Sequence, residues 1–493
     1  MHHTPKHSKH ETAMQARHGE DVGSTAARWL LPVLLVAQLM VILDITAVNI
    51  ALPHIAADLK LSGSRISWTI TSYSLIFGSL LLFGGRAADL LGRRRMFLIG
   101  LGIFTASSLA SGVAGSAAML FASRAGQGLG AAILSPAALS IITSAFQGAA
   151  RGKALAAWGA VGGAGAAIGV LVGGVLTQFI DWRAIFYVNL PVAAALLVAS
   201  LKVVPADTQK PRWRGLDLAG AALGTTSLAA IVYGITQANS AGWTSIQTHI
   251  FGIGGLAGLA AFAIYELHID APLLRVERIA DRAVGGGLVL MLAVAGSIFG
   301  LFLLSSLYLQ NVLGMGPLAT GLAFVPLALS AAIGAHGASH VIAKHGVRAP
   351  LTGSFGVAAV GMFLLSRVGE SGSYLTDVLP GMLIAGVALG VATVSVSVAI
   401  LTGARQEESG MISGLNSTGH EIGGTLGIAI FSTIAAGASG AILGPQAASG
   451  IGHAFLISAF LAIAASLVAL AVLPRAQDFI AKLRLNPQAM PVH

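Results

Sequence analysis

Cysteine is absent from this chain of 493 residues, which excludes disulfide bonds, thiolate metal sites and iron–sulfur clusters. Charged residues are scarce, at 10% of the chain, whereas about 25% is usual for a soluble protein. No long polar stretch separates one apolar segment from the next. These absences argue against a water-soluble multidomain enzyme and indicate that most side chains lie in a lipid bilayer.

Sequence patterns of common enzymes are also missing. The chain shows no Ser–His–Asp arrangement, no Walker loop and no metalloprotease helix, so nothing indicates catalysis or ATP hydrolysis. His336 and His340 lie one helical turn apart without a visible third ligand, and we expect them to be packing histidines. We therefore predict that the protein is not an enzyme and has no metal or cofactor, with a proton gradient as its source of energy.

Apolar segments dominate what is present: 55% of the residues are hydrophobic and the mean hydropathy is +0.82. A membrane-spanning helix needs about 20 apolar residues, and fourteen segments qualify, from Trp29–Pro53 to Ala454–Leu473. The predicted fold class is therefore all-α integral membrane, with 14 transmembrane helices. The first apolar run is too long for a signal-peptide core and lacks a cleavage site, so we expect no cleavable signal.

Basic residues are distributed unevenly along the predicted loops. If the chain crosses the membrane fourteen times, 23 of the 28 lysines and arginines fall on the side of the N-terminus, four on the other side, and Arg124 within a helix. The positive-inside rule then predicts a multi-pass plasma-membrane protein with both termini in the cytoplasm. The same distribution explains the net charge of +9 without a nucleic-acid partner.

The segments group as six helices, two inserted helices and six more, which suggests the internal repeat of many transporters. The predicted divisions are a disordered cytoplasmic tail (1–28), an N-terminal six-helix bundle (29–203), a cytoplasmic linker (204–215), two inserted helices (216–267), a cytoplasmic loop (268–283), a C-terminal six-helix bundle (284–473) and a cytoplasmic tail (474–493).

A carboxylate lies within the first span, at Asp44 of the stretch LDITAVNIALP, where burial of its charge costs at least ~2.5–3.5 kcal/mol. Asp44 is about 13 Å from the helix end at Pro53, and Arg124 is about 9 Å from the helix end at Ala118, on the same side of the membrane. Similar depths predict a pair. Arg124 favours the ionised form of Asp44 and burial the protonated form, so Asp44 could exchange a proton; a permanent structural ion pair is the alternative.

A second carboxyl group, Glu421, is predicted near the membrane midplane in NSTGHEIGGTLGIAI (Asn416–Ile430). No basic residue lies in that helix, and His420 is expected to point about 100° away, into a core hydrogen bond. An unpaired carboxyl tends to be neutral in the membrane. Glu421 is therefore a candidate proton carrier with Asp44 and Arg124, and Asp44 and Glu421 are the candidate substrate-binding residues.

Two glycine patterns predict backbone contacts. The loop GRAADLLGRRR (Gly85–Arg95) combines Gly85, Asp89, Gly92 and Arg93; its acid could pair with an arginine or a helix N-terminus and form a conformational latch, the alternative being a simple basic anchor with a turn. In the fifth span, WGAVGGAGAAIGVLVGG, glycines recur every four residues and form a flat face for close helix packing and rocking. These helix-interface glycines are Gly165, Gly169, Gly173 and Gly174.

Several of these motifs, in this order, resemble those of the fourteen-helix drug:proton antiporters of the major facilitator superfamily, over nearly the whole chain. The matching stretches are LDITAVNIALP, GGRAADLLGRRR, ASRAGQGLGAA (Ala122–Ala132), DWRAIFYVNLP and YLQNVLGMGPLATGLAFVP (Tyr308–Pro326). The resemblance implies the major facilitator fold, alternating access between two bundles, and the proton-coupling and latch roles given above. One departure is Val170, which replaces the proline usual in the fifth helix of this family.

The resulting hypothesis is a proton-coupled secondary active exporter of amphipathic, cationic or neutral small molecules, acting in multidrug efflux. Substrate and proton would favour opposite states of Asp44 or Glu421, and two carboxyls with one arginine suggest monovalent cations. We expect the lipid bilayer, a drug-like substrate and protons as partners, and a monomer. The alternatives are a dedicated exporter of one metabolite or antibiotic and, in a different class, a non-transporting membrane sensor or scaffold.

Overall fold

The computed structural model describes residues 8–61, 65–207, 211–213, 215–402, 409–439, 444 and 446–473, and this part contains helices and no strand. We number the long helices in chain order. They are α1 (Ser8–Asp58), α2 (Trp68–Leu91), α3 (Arg93–Gly112), α4 (Ala117–Ala145), α5 (Gly148–Phe179), α6 (Ala184–Val203), α7 (Leu218–Ala241), α8 (Ile246–His268), α9 (Val284–Val312), α10 (Pro317–His345), α11 (Arg348–Leu365), α12 (Tyr374–Leu401), α13 (Ser409–Ser439) and α14 (Ala447–Val472).

Each of the fourteen predicted spans corresponds to one of these helices, which confirms the predicted all-α fold class. Thirteen of them, within the described residues, are long and apolar enough to cross a membrane. The remaining one, α13, has 31 residues and contains the polar run Asn416–Glu421.

Several helices extend beyond their expected bounds, most clearly α1 at both ends and α2 at its end. Helix α2 continues past Phe83 to Leu91, so most of the predicted loop Gly85–Arg95 is helical and Gly92 alone separates α2 from α3. Helix α1 continues past Pro53 to Asp58, which is possible because membrane helices tolerate proline where neighbouring groups satisfy the freed carbonyl. At its other end α1 begins at Ser8, within the segment 1–28 that was expected to be a disordered tail. A helix that has already nucleated extends at little cost per residue, which accounts for the additional turns. The predicted tail 474–493 lies outside the described residues.

The helices pack as two groups with an inserted hairpin. In the first half α4 packs on α2 and α3, and α1 packs on α5; in the second half α12 packs on α10 and α11, and α13 on α9. The inserted helices α7 and α8 pack on each other, and α7 also contacts α2 of the first half and α13 of the second. A small apolar cluster of Leu75, Val232 and Ala429 joins these three helices.

The apolar cores show how the halves meet. Around the α1–α2 loop, one core contains residues of both halves, among them Ile50, Phe186, Leu304 and Phe455. Toward the α2–α3 loop the buried residues separate into one core for each half. We call these the closed end and the divided end. The candidate site residues Asp44 and Arg124 lie between the two, beside residues of the closed-end core.

Candidate functional site

Asp44 of α1 and Arg124 of α4 are fully enclosed in the first half, with 1% and 0% of their surface exposed. The structure brings these two predicted partners together: Arg124 Nη1 donates to Asp44 Oδ2. The guanidinium also lies over the ring of Tyr73, with its central carbon 4.4 Å from the ring centroid. Both an anion and an aromatic face therefore compensate the buried cation.

Two amide side chains, missed by the sequence interpretation, complete the coordination of Asp44. Gln127 Nε2 donates to Asp44 Oδ1 at 2.8 Å, and Asn189 Nδ2 donates to the same oxygen at 3.0 Å. Gln127 Oε1 accepts a hydrogen bond from Arg124 Nη1 at 2.9 Å. Gln127 lies one turn after Arg124 on α4, and this spacing is a signal that sequence reasoning could have used. Asn189 is brought from α6; it lies in the family-matching stretch DWRAIFYVNLP, but no spacing in the sequence predicts its contact with Asp44.

Hydroxyl groups form an outer layer of this network. Ser108 Oγ accepts from Asn189 Nδ2 at 2.9 Å and from Gln127 Nε2 at 3.2 Å, and it donates to the carbonyl of Phe186 at 2.9 Å. Arg124 Nε donates to the carbonyl of Thr69 at 3.1 Å. Both oxygens of Asp44 thus accept hydrogen bonds from donors on neighbouring helices. Protonation of Asp44 would require these donors to rearrange.

A cavity of about 130 Å³ reaches Asp44 and Asn189 from between α1, α5 and α6. The rest of its lining is apolar and includes Leu43, Val172 and Ile185. Water occupies about 30 Å³ per molecule in the liquid, so the volume is sufficient for a few water molecules. Asp44 is therefore buried but is not sealed on every side.

Glu421 lies where α13 crosses α2. A Cβ added at Gly78 of α2 would be 2.7 Å from Glu421 Cβ, so the absence of a side chain at Gly78 permits this close contact. The Glu421 side chain is 12% exposed, and its Oε1 is 3.3 Å from His420 Nδ1. Its Oε2 has no hydrogen-bond partner. The sequence interpretation of Glu421 as unpaired, with His420 turned away, is wrong: their Cβ atoms diverge, but the side chains are long enough to converge.

Tyr73 of α2 connects the surroundings of the two carboxylates. Its side chain is fully buried, and it lies within electrostatic reach of both Asp44 and Glu421. The Tyr73 hydroxyl has no hydrogen-bond partner, which is costly in an apolar interior. The unsatisfied Tyr73 hydroxyl therefore lies between the hydrogen-bond network of Asp44 and the contact of α2 with α13, where Glu421 is located.

The segment Gly85–Arg95, predicted as a latch, comprises the end of α2, the turn at Gly92 and the start of α3, and it is organised by a residue that the sequence interpretation missed. Asp207, in the linker after α6, accepts hydrogen bonds from the backbone N–H groups of Arg94 at 3.1 Å and Arg95 at 3.0 Å. These are two of the amides left unsatisfied at the start of α3. Asp89 has a weaker role in this state: its carboxylate is 3.7 Å from Arg93 Nη2, and both side chains are about half exposed.

Gly92 is required by this arrangement, for two reasons. Its φ is +111°, and a Cβ at this position would lie 2.5 Å from the carboxyl carbon of Asp207. We expect Gly92→Ala to lower the melting temperature of the purified protein by about 2–6 °C, from strain and displacement of the cap. Gly102→Ala, in the middle of α3 with no atom within 4 Å of its added Cβ, is the matched control. Equal melting temperatures of the two variants would contradict the assignment.

The predicted glycine face of α5 divides between two partners. Gly165, Gly169 and Gly173 face α1, and a Cβ at Gly173 would be 2.6 Å from Ala47 Cα. Gly174 instead faces α10 of the other half, where an added Cβ would be 2.8 Å from the Pro317 carbonyl oxygen. Gln178 Oε1 accepts from the Leu318 N–H at 3.0 Å in the same contact. Helix α5 continues without interruption through Val170, the residue that departs from the family pattern.

Comparison with known proteins agrees with this architecture. The family model described as Major Facilitator Superfamily matches residues 34–428. A puromycin resistance protein of Streptomyces alboniger is 40% identical over 425 residues, 85% of this chain and 84% of that protein. A cephamycin export protein of Amycolatopsis lactamdurans is 34% identical over 442 residues, 89% of this chain and 90% of that protein.

Solved structures share the fold at low sequence identity. A peptide transporter crystallised with sulfate superposes with a TM-score of 0.67 at 16% identity, covering 92% of this chain and 95% of that one. A bacterial homologue of the human lysosomal transporter Spinster gives a TM-score of 0.64 at 16% identity, covering 93% and 98%. The chain therefore belongs to the Major Facilitator Superfamily and is a multi-pass membrane transporter.

Proposed function

We propose that this protein is a proton-coupled exporter of amphipathic small molecules that acts in multidrug efflux by alternating access. The observation that carries the proposal is the pair of enclosed carboxylates with unlike surroundings. Asp44 has a donor on each oxygen, whereas Glu421 has one oxygen without a partner. Two such groups can hold a proton in different states of the transporter, which is the requirement for coupling.

The uneven distribution of basic residues supports an orientation with both termini in the cytoplasm of a cell whose plasma membrane holds the protein. In this orientation the closed end faces outward and the divided end faces the cytoplasm. The two halves would thus be separated on the cytoplasmic side, which is the side from which an exporter binds its substrate. We propose a monomer, because each half completes its own core within one chain.

Coupling would occur by competition between substrate and proton. Protonation of a carboxylate removes the charge that a cationic substrate would contact, so proton entry favours substrate release. One proton that moves inward through a potential of 100 mV supplies about 2.3 kcal/mol, enough for a gradient of roughly 50-fold. Arg124 already compensates Asp44, so Glu421 is left as the carboxylate free to contact a cation. This favours neutral or monovalent substrates over divalent cations.

A dedicated exporter of one antibiotic is the second candidate, and the names of relatives favour it. Besides the puromycin and cephamycin proteins, a lincomycin resistance protein of Streptomyces lincolnensis is 32% identical over 434 residues. A multidrug resistance protein of Mycobacterium tuberculosis, by contrast, is 33% identical over 408 residues. The number of compounds that drive transport decides between the two candidates.

Substrate-driven proton release from proteoliposomes tests the proposal, with puromycin, lincomycin and a panel of unrelated amphipathic cations as substrates. We expect the wild-type protein to release protons, and Glu421→Gln to reduce the release by at least about tenfold. The melting temperature of Glu421→Gln should change little, because Oε2 has no hydrogen bond to lose.

Glu277→Gln, at an exposed acid outside the helices that hold Asp44 and Glu421, is the matched control and should transport like wild type. If Glu421→Gln releases protons at the wild-type rate, Glu421 is not a coupling residue. If no compound releases protons from wild-type protein, the proton-coupled mechanism is refuted.

A further inference from the structure

The inserted hairpin contains a second pair of buried acids, apart from the residues of the proposed transport path. Asp217 directly precedes α7 and Glu266 lies in the last turn of α8, so both are at the base of the hairpin. Asp217 is 4% exposed and Glu266 is 2% exposed. Acids buried to this extent are rare unless a partner compensates them.

Only one oxygen of each carboxyl group is satisfied by the protein. Asp217 Oδ1 accepts from the Gly220 N–H at 2.8 Å and from the Tyr265 hydroxyl at 3.1 Å. Glu266 Oε2 accepts from the Leu274 N–H at 3.1 Å. The other two oxygens, Asp217 Oδ2 and Glu266 Oε1, have no hydrogen-bond partner.

These two unsatisfied oxygens lie next to each other. A Cβ added at Gly220 would overlap Asp217 Oδ2 and would lie 2.7 Å from Glu266 Oε1. Gly220 therefore leaves room for both oxygens on the same side of α7. Each is buried, and each lies within contact distance of the position that a Cβ at Gly220 would occupy.

Two negative charges cannot both persist in such a place. Neighbouring carboxylates that are shielded from water share a proton, because like charges repel strongly and burial disfavours the ionised forms. Asp217 and the amides of Leu273 and Leu274 face Glu266. Tyr265 faces Asp217, and the cation Arg86 of α2 reaches the Gly215 carbonyl. None of these groups donates to the two inner oxygens. A proton between them would satisfy both.

We propose that Asp217 and Glu266 share one proton and form a proton-binding site at the base of the inserted hairpin. A hydroxyl group on one carboxyl donates to the unsatisfied oxygen of the other, which leaves one net negative charge. A bound metal ion is less suitable, because hard cations require additional oxygen ligands and the described residues contain no cluster of three acids or histidines.

This shared proton would hold the linker between α6 and α7 in place. The linker is attached to the last turns of α2, since the Arg212 N–H donates to the Leu90 carbonyl at 2.9 Å and Arg86 Nε donates to the Gly215 carbonyl at 3.5 Å. Asp217 follows two residues later. Loss of the proton would place two charges together at this position and loosen the attachment of the hairpin to α2.

The melting temperature of the purified full-length protein, measured between pH 5.5 and 8.5, tests the proposal without any substrate. The folded state holds a proton that the unfolded chain has released, so the stability of wild-type protein should fall as pH rises, by about 2 °C per pH unit. Glu266→Gln should remove this part of the slope, because its amide N–H replaces the shared proton at every pH. Glu277→Gln should keep the wild-type slope.

A second measurement does not depend on stability. Infrared spectra at neutral pH should show the C=O stretch of a protonated carboxyl group that disappears in Glu266→Gln and in Asp217→Asn; the latter keeps an oxygen for the Gly220 N–H. If neither variant alters this band, or if Glu266→Gln and wild type share the same pH slope, the shared proton is refuted. Failure of the proposed export function would leave both measurements unchanged.

Discussion

Asp44→Asn should abolish substrate-driven proton release and should also lower the melting temperature, by about 10 °C. The first effect follows from removal of the carboxylate that would carry the proton. The second follows because the amide no longer compensates Arg124, which is completely buried. Removal of one partner of a buried ion pair costs about 3–5 kcal/mol, and about 2–4 °C of melting temperature corresponds to each kcal/mol in a domain of 150–250 residues.

A double variant separates these two effects. Asp44→Asn/Arg124→Gln removes both charges, so its melting temperature should recover most of the loss, but proton release should remain absent. Asp89→Asn, at a carboxylate that is 57% exposed, is the matched control and should change stability little. If the double variant regains proton release, Asp44 does not carry the proton. If Asp44→Asn melts like wild type, Arg124 is compensated by its other contacts and the ion pair adds no stability.

Gly174→Val should prevent transport by separating the two halves at the closed end. The added Cβ would lie 2.8 Å from the Pro317 carbonyl oxygen and 3.0 Å from Leu318 Cα. Both are backbone atoms of α10, which cannot move aside as a side chain can. Overpacking of this kind costs about 1–3 kcal/mol, and we expect it to penalise the closed state and to reduce transport by at least about tenfold.

Spin labels can measure this separation directly, because the chain has no native cysteine. With Phe179→Cys and Leu322→Cys, both at exposed positions of α5 and α10, the distance between labels should lengthen in Gly174→Val. Gly162→Val, on the same helix with no atom within 4 Å of its added Cβ, should keep the wild-type distance and transport. A wild-type distance in Gly174→Val would show that the contact does not control closure.

The sequence was sufficient for features that depend on position along a single helix. The fourteen apolar runs predict the helices, since hydrocarbon thickness fixes their length. The contact of Asp44 with Arg124 follows from depth, because the helix ends near Pro53 and Ala118 lie at the same side of the membrane and the rise per residue is constant. The close approach at Gly173 also follows from spacing alone.

Contacts between distant segments could not be predicted in this way. The hydrogen bond between Asn189 and Asp44 joins residues 145 positions apart in the sequence, and the bond between Asp207 and the Arg94 amide joins residues 113 positions apart. Each depends on how distant helices pack, which patterns along one sequence do not reveal. The prediction that His420 and Glu421 point apart failed for a different reason. Helical periodicity gives the direction of each Cβ but not the rotamer of the side chain beyond it.

The inserted hairpin makes the two lipid-facing seams of the molecule unequal. The halves meet along α2 and α13 on one side and along α5 and α10 on the other. Helix α7 lies over the first seam, and the described helices place nothing comparable over the second. The hairpin therefore covers one seam between the halves, whereas at the other seam Gly174 and Gly321 allow the backbones of α5 and α10 to touch directly, so that this contact closes the uncovered seam.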